Sequence, residues 1–281
     1  MDGQKQKVGE NGVALQAGGD ISVGMSYTEV KDLVFLLFEQ NFPKLAESAA
    51  EKALQNIKEY IGNLENRLHE DANKVDFSKF SDPNIQYLLN STIQNYARKG
   101  NSINMDFLMD AFLLVLREKP TSILNIVSEQ LISVLPKITK DCVDVLTVLY
   151  YVRYYRQNGI SSMEELEPIS KKIYDSLSFD KECSDFIVPY LESLGVTAST
   201  VFASTPYRDL ADQYKEFSSS KSDDEWKKLI QMSFPYLLKI IERYESWHLE
   251  TTYLNPMGEL LALMNVKSIL QIDADFEGLF Q

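Results

Sequence analysis

Phe107-Leu108-Met109-Asp110-Ala111-Phe112-Leu113-Leu114-Val115-Leu116 is the most apolar run in this chain of 281 residues, and its reading decides the fold class. Phe107, Leu108, Phe112, Leu113, Val115 and Leu116 crowd so much of one helix that neighbouring helices must surround it. The run is too short and too interrupted to span a bilayer. Pro120 separates it from a second apolar helix carrying Ile123, Ile126, Val127, Leu131, Ile132 and Val134. Beyond Pro136, Thr139 caps a third, with Val143, Leu146, Leu149, Tyr150 and Val152 facing the core and Asn158-Gly159 as its stop. Three such helices in succession predict a mainly α, multi-helix fold.

Working back towards the N-terminus, Asp82-Pro83 pairs an N-cap with proline at the first helical position, and that helix runs to Lys99 and Gly100. The helix before it, from about Pro43 to His69, places Ala50, Leu54, Ile57, Ile61, Leu64 and Leu68 at alternating spacings of four and three, the a/d seam of a coiled coil. So narrow a stripe suits either a helical neighbour within the chain or a seam between subunits. The first helix begins at Ser26, with Glu29 in capping-box relation. Beyond Gly159 the elements shorten: Ser162 and Glu165 suggest another capping box, Gly195 ends a helix, and Thr205-Pro206 opens one. Ser218 to Asp224 reads as a polar linker, Pro235 divides the stripe from Trp226 to Tyr244, and Asn255-Pro256 starts a final helix. The expected organisation is an oligomerisation segment over residues 1–25, a helical core domain over 26–159 and a C-terminal helical region over 160–281.

The segment Gly12 to Met25 departs from this helical pattern. Val13, Leu15, Ala17, Ile21, Val23 and Met25 alternate as in a half-buried strand. A three-residue loop through Asp20 sets all six on one face of a short N-terminal β-hairpin. No other strand is evident in the sequence. A lone hairpin is marginal in water, so its edges predict pairing with further copies of the chain. Together with Leu54, Ile57, Ile61, Leu64 and Leu68, these residues form the expected oligomerisation surface.

Charge and composition narrow the function. A net charge of -13 and a pI near 4.7 disfavour a nucleic-acid surface, which needs clustered Lys and Arg. Cys142 and Cys183 lack neighbours at metal-ligand spacing and read as free thiols of a reducing compartment. The N-terminal residues lack the apolar stretch of a secretory signal, and a cytoplasmic protein without a membrane span, metal or cofactor is expected. With two histidines, few acid/base constellations are open. His69 reads as a solvated helix end. Arg243 and His248 match the Arg-x4-His spacing of helical ribonucleases in bacterial defence systems, where a cation and an imidazole would serve 2′-hydroxyl attack. Tyr150, Tyr151, Tyr154 and Tyr155, with Arg153 and Arg156 between them, suggest either core packing or a base-stacking platform.

Several blocks together carry a family resemblance. Gly9-Glu10-Asn11, Gln16-Ala17-Gly18-Gly19-Asp20-Ile21 and Ser26-Tyr27-Thr28-Glu29-Val30-Lys31 resemble the start of a family of uncharacterised bacterial proteins. The likeness continues at Asn41-Phe42-Pro43-Lys44-Leu45, Val75-Asp76-Phe77, Asp82-Pro83-Asn84-Ile85-Gln86-Tyr87 and Leu135-Pro136-Lys137-Ile138-Thr139. It returns at Leu254-Asn255-Pro256-Met257-Gly258, similar to a Leu-Thr-Pro-x-Gly segment, with Asn255 in the threonine's place. The leader and tail also resemble those of phage-defence proteins. The resemblance implies a phage-defence context but no activity; the unpaired hairpin followed by the heptad helix points to a non-enzymatic, homo-oligomeric interaction or assembly component of such a system, with another defence protein as a candidate partner.

Overall fold

The computed structural model describes residues 27–41, 47–117, 122–178, 184–272 and 276. In order these form α1 (Tyr27–Asn41), α2 (Glu47–Glu70), α3 (Pro83–Lys99), α4 (Met105–Leu116), α5 (Ser122–Val134), α6 (Lys140–Arg153), α7 (Leu166–Ser176) and α8 (Ser184–Ser193). Strand β1 (Thr197–Ser199) follows, then α9 (Pro206–Gln213), α10 (Lys215–Ser218), α11 (Asp223–Ser233), α12 (Pro235–Ser246), β2 (Thr252–Leu254) and α13 (Pro256–Leu270). The expected hairpin over Val13 to Met25, the helix start at Ser26, the Pro43 and Pro120 boundaries and Cys183 lie outside the described residues.

The apolar run forms α4, which packs against α5 as a helical pair. Every residue of α6 from Cys142 to Val152 is buried, because α8, α9, α12 and α13 pack around it and leave it little solvent. Its two buried polar side chains are satisfied. Asp144 accepts from Lys140 and from the Ser178 backbone and hydroxyl, both at 2.9 Å. Thr147 donates to the Val143 carbonyl at 2.7 Å. Helix α13 touches α4, α5, α6 and α7, so the core is continuous across Gly159, where a division was expected.

The α2 stripe lies inside the subunit. Ile57, Ile61, Leu64 and Leu68 are buried, Leu54 partly so, and α2 packs on α1, α3 and α4. Tyr60 and Thr92 share a buried hydroxyl bond of 2.7 Å between α2 and α3, and Asn56 donates to the Ala97 carbonyl at 3.0 Å. The narrow seam therefore reports a thin layer of neighbouring helices, and these side chains are not free for an intersubunit coiled coil.

Among the described residues, helix ends account for three of the resemblance blocks. Asp82 accepts from Asn84 N and Pro83 opens α3. Asp76 caps the 3-10 turn Phe77–Ser81. Thr139 caps α6, which stops at Arg153 rather than at Asn158-Gly159. Two sequence expectations change. Glu165 accepts from Ser161 N at 2.9 Å, and Ser162 makes no side-chain cap. The supposed linker instead contains a complete capping box, Ser222 with Glu225, that starts α11. The expectation of no second strand also fails: β1 and β2 form an antiparallel ribbon, with Thr197 opposite Leu254 and Ser199 opposite Thr252. Three-residue strands carry too little alternation to be seen in sequence.

Candidate functional site

The ribbon draws together segments up to 100 residues apart. At the C-terminal end of α6, Arg153 donates through Nε to Asp209 of α9 at 3.1 Å, through Nη2 to the Glu250 carbonyl at 2.8 Å, and through Nη1 to the Thr252 carbonyl. Its guanidinium also lies 5.9 Å from the Tyr244 ring centroid of α12. One planar fork thus ties α6, α9, α12 and β2, a task a lysine ammonium cannot repeat. Asp209 accepts additionally from the Ser204 hydroxyl. The Tyr154 hydroxyl accepts from Leu254 N at 3.1 Å, so Arg153 and the C-cap residue of α6 together cap the outer edge of β2. On the β1 side, Glu192 takes the Ser199 N–H at 3.3 Å and its hydroxyl at 3.2 Å. A two-stranded ribbon, unstable alone, persists because side chains close its edges.

The resemblance block at the tail is built for this ribbon. Asn255 makes no side-chain cap to α13; its Nδ2 donates to the Gly195 and Thr197 carbonyls, each at 3.2 Å. Threonine has no group that could donate to both. A Cβ on Gly258 would lie 2.2 Å from the Val196 carbonyl oxygen, so only glycine permits α13 to approach β1. Gly195 itself sits at φ 71° where α8 turns into the strand.

Past β1 the chain turns at Thr200–Ser204. Thr200 N donates to the Thr251 carbonyl at 2.8 Å and Ser204 N to the Glu250 carbonyl at 2.9 Å, while the Thr200 hydroxyl accepts from Phe202 N at 3.2 Å. Pinned at both ends, the turn leaves Val201 91% and Phe202 80% exposed. Hydrophobic side chains on a fixed backbone form a ready contact point, because little ordering remains to be done on binding.

A family model described as ":-like" matches residues 24–221. The chain belongs to that family. No curated protein and no solved structure matches it. The matched span holds Arg153, Asp209 and the Val201-Phe202 turn, and ends before β2 and the Asn255–Gly258 block.

Arg243 and His248 border this junction. Arg243 lies in the last turn of α12, and its carbonyl accepts from Trp247 N at 3.0 Å. His248 is exposed and left-handed, at φ 53°, immediately after the helix C-cap Trp247. That is the usual position for a left-handed stop residue, so helix termination alone accounts for this backbone. The tyrosine cluster resolves as core: Tyr150 stacks on Tyr154 at 6.0 Å and Tyr151 on Tyr155 at 5.3 Å, with Tyr150, Tyr151 and Tyr155 buried. Burial pushes the Tyr150 and Tyr155 hydroxyls up to about 12. Arg153 between them serves the ribbon, and Arg156 pairs with Glu216 at 3.0 Å. Among the described residues no group of His, Cys, Asp and Glu could hold a metal ion, and no helix is long and apolar enough to cross a membrane. Arg153 escaped notice as an anchor in the sequence because its acceptors lie up to 99 residues away.

Proposed function

We propose that the protein is a non-enzymatic, homo-oligomeric interaction or assembly component of a bacterial anti-phage defence system. The observation that carries this reading is the pinned turn with Val201 and Phe202 outward, next to polar groups that are committed to holding it. In this reading the turn touches a second copy of the chain, beside the contact expected from Val13, Leu15, Ala17, Ile21, Val23 and Met25. The resemblance of leader and tail supplies the defence context. Light scattering on the intact chain, on a chain lacking residues 1–25 and on a Val201→Asp/Phe202→Asp variant tests it. A multimer that loses mass in both variants supports the assembly; an intact chain that is already monomeric removes it.

The competing reading is an RNA-cleaving enzyme using Arg243 and His248, favoured by the exposure of His248 beside the last turn of α12. Its test is cleavage of structured and unstructured RNA by the intact protein and by His248→Ala. Cleavage that persists in the variant rules the histidine out.

A further inference from the structure

Helix α13 is buried along most of its length, yet it carries Asn265, only 9% exposed. Among the described residues that amide donates through Nδ2 to the Thr147 hydroxyl at 2.7 Å. A carboxamide has two donors and a two-lone-pair oxygen, so this one keeps hydrogen-bonding capacity to offer to the cavity it borders. Asn265 lines a cavity of about 250 Å³ between α4, α6 and α13, together with Asn101, Ser102, Asn104, Phe107, Leu135, Ile138, Thr139, Lys140 and Val143.

The lining sorts by chemistry. Phe107, Leu135, Ile138 and Val143 form an apolar wall, and the amides and hydroxyls form a polar one. The charges are already spent. Lys140 is paired with Asp144, and the helix N-termini at Asn104 and Thr139 are capped by those side chains, with Asp106 and Asp141 in the first turns. Nothing there draws an ion of either sign. The volume falls just below the ~300–1,000 Å³ range of ordinary ligand pockets, which limits the occupant to about one ring system. We infer that this cavity binds a small uncharged planar heterocycle of nucleobase size, its face on Phe107 and its donor–acceptor edge on Asn265. Carboxamides recognise such edges by paired hydrogen bonds.

Calorimetric titration of the full chain with adenine, guanine, cytosine and uracil tests the inference. At least one should bind. Asn265→Leu should weaken that binding at least about tenfold, since a site built for hydrogen bonding discriminates strongly once a partner is lost. Ser102→Trp, at an exposed position of the lining, should abolish binding by filling the cavity while circular dichroism stays native. Absence of heat with all four bases shows a cavity that holds water only and overturns the proposal, as does binding that both folded variants retain.

Discussion

The apolar interior around α4, α5, α6 and α13 and the ribbon junction at the end of α6 are held by different physics. In the interior, Leu108, Phe112, Leu146 and Leu149 are stabilised by burial, which is proportional to area and indifferent to direction. At the junction, Arg153 serves three acceptors in three segments, and its stabilisation depends on distance and angle. The interior can be rebuilt from many sequences of similar volume. The junction admits few, and its loss should release the Val201-Phe202 turn while the helical core stays folded.

Arg153→Ala is the most severe way to break the junction. It leaves the Asp209 carboxylate without its cation and takes a donor from two carbonyls, and breaking a largely buried pair of this kind costs about 3–5 kcal/mol. Urea denaturation should show most of that loss in Arg153→Lys as well; a lysine variant of native stability would mean that the fork is not what holds the ribbon. Gly258→Ala comes next. Its Cβ meets a backbone oxygen that cannot swing aside, and overpacking of this order costs about 1–3 kcal/mol. Hydrogen exchange should show the damage first at β1 and β2.

Leu149→Met sharpens the contrast from the other side. Although fully buried, it conserves volume and should cost less than about 1.5 kcal/mol, well below Arg153→Lys in the same denaturation series. Asn255→Thr restores the residue usual in the similar tail segment but gives up the paired bonds to Gly195 and Thr197. A loss of about 1 kcal/mol is expected, and an unchanged midpoint would show those bonds to be idle.

The smallest effect is electrostatic. Burial raises the carboxyl of Glu259, in the first turn of α13, above its usual range. The folded chain therefore holds that proton more tightly than the unfolded one, and the charged form is a cost that appears as pH rises through the unfolded value and is complete above the folded one. Glu259→Gln should melt slightly higher than the parent at neutral pH, with the gap closing as pH falls below the ordinary glutamate range. A gap that widens on acidification would reverse the assignment.

The helical class was legible because local signals agree with one another. The apolar runs of α4 and α6, the caps Asp82 and Thr139 and the stops at Pro235 and Gly100 each act within a few residues, where sequence is a sufficient guide. The sequence also marked Leu254–Gly258 as distinctive, and read Asn255 as a cap because asparagine before proline commonly is one. Its actual acceptors are about sixty residues upstream, beyond any local rule.

What the amino-acid order determined by itself is the set of helices and the side of each that turns inward, since periodicity and capping are properties of neighbouring residues. What only the tertiary structure decided is that the α2 stripe is used within the subunit, that two strands without visible alternation pair, and that Arg153 and Gly258 make their meeting possible. Those outcomes depend on groups brought together across the chain, where approach distance and donor direction, rather than hydrophobic pattern, select the arrangement.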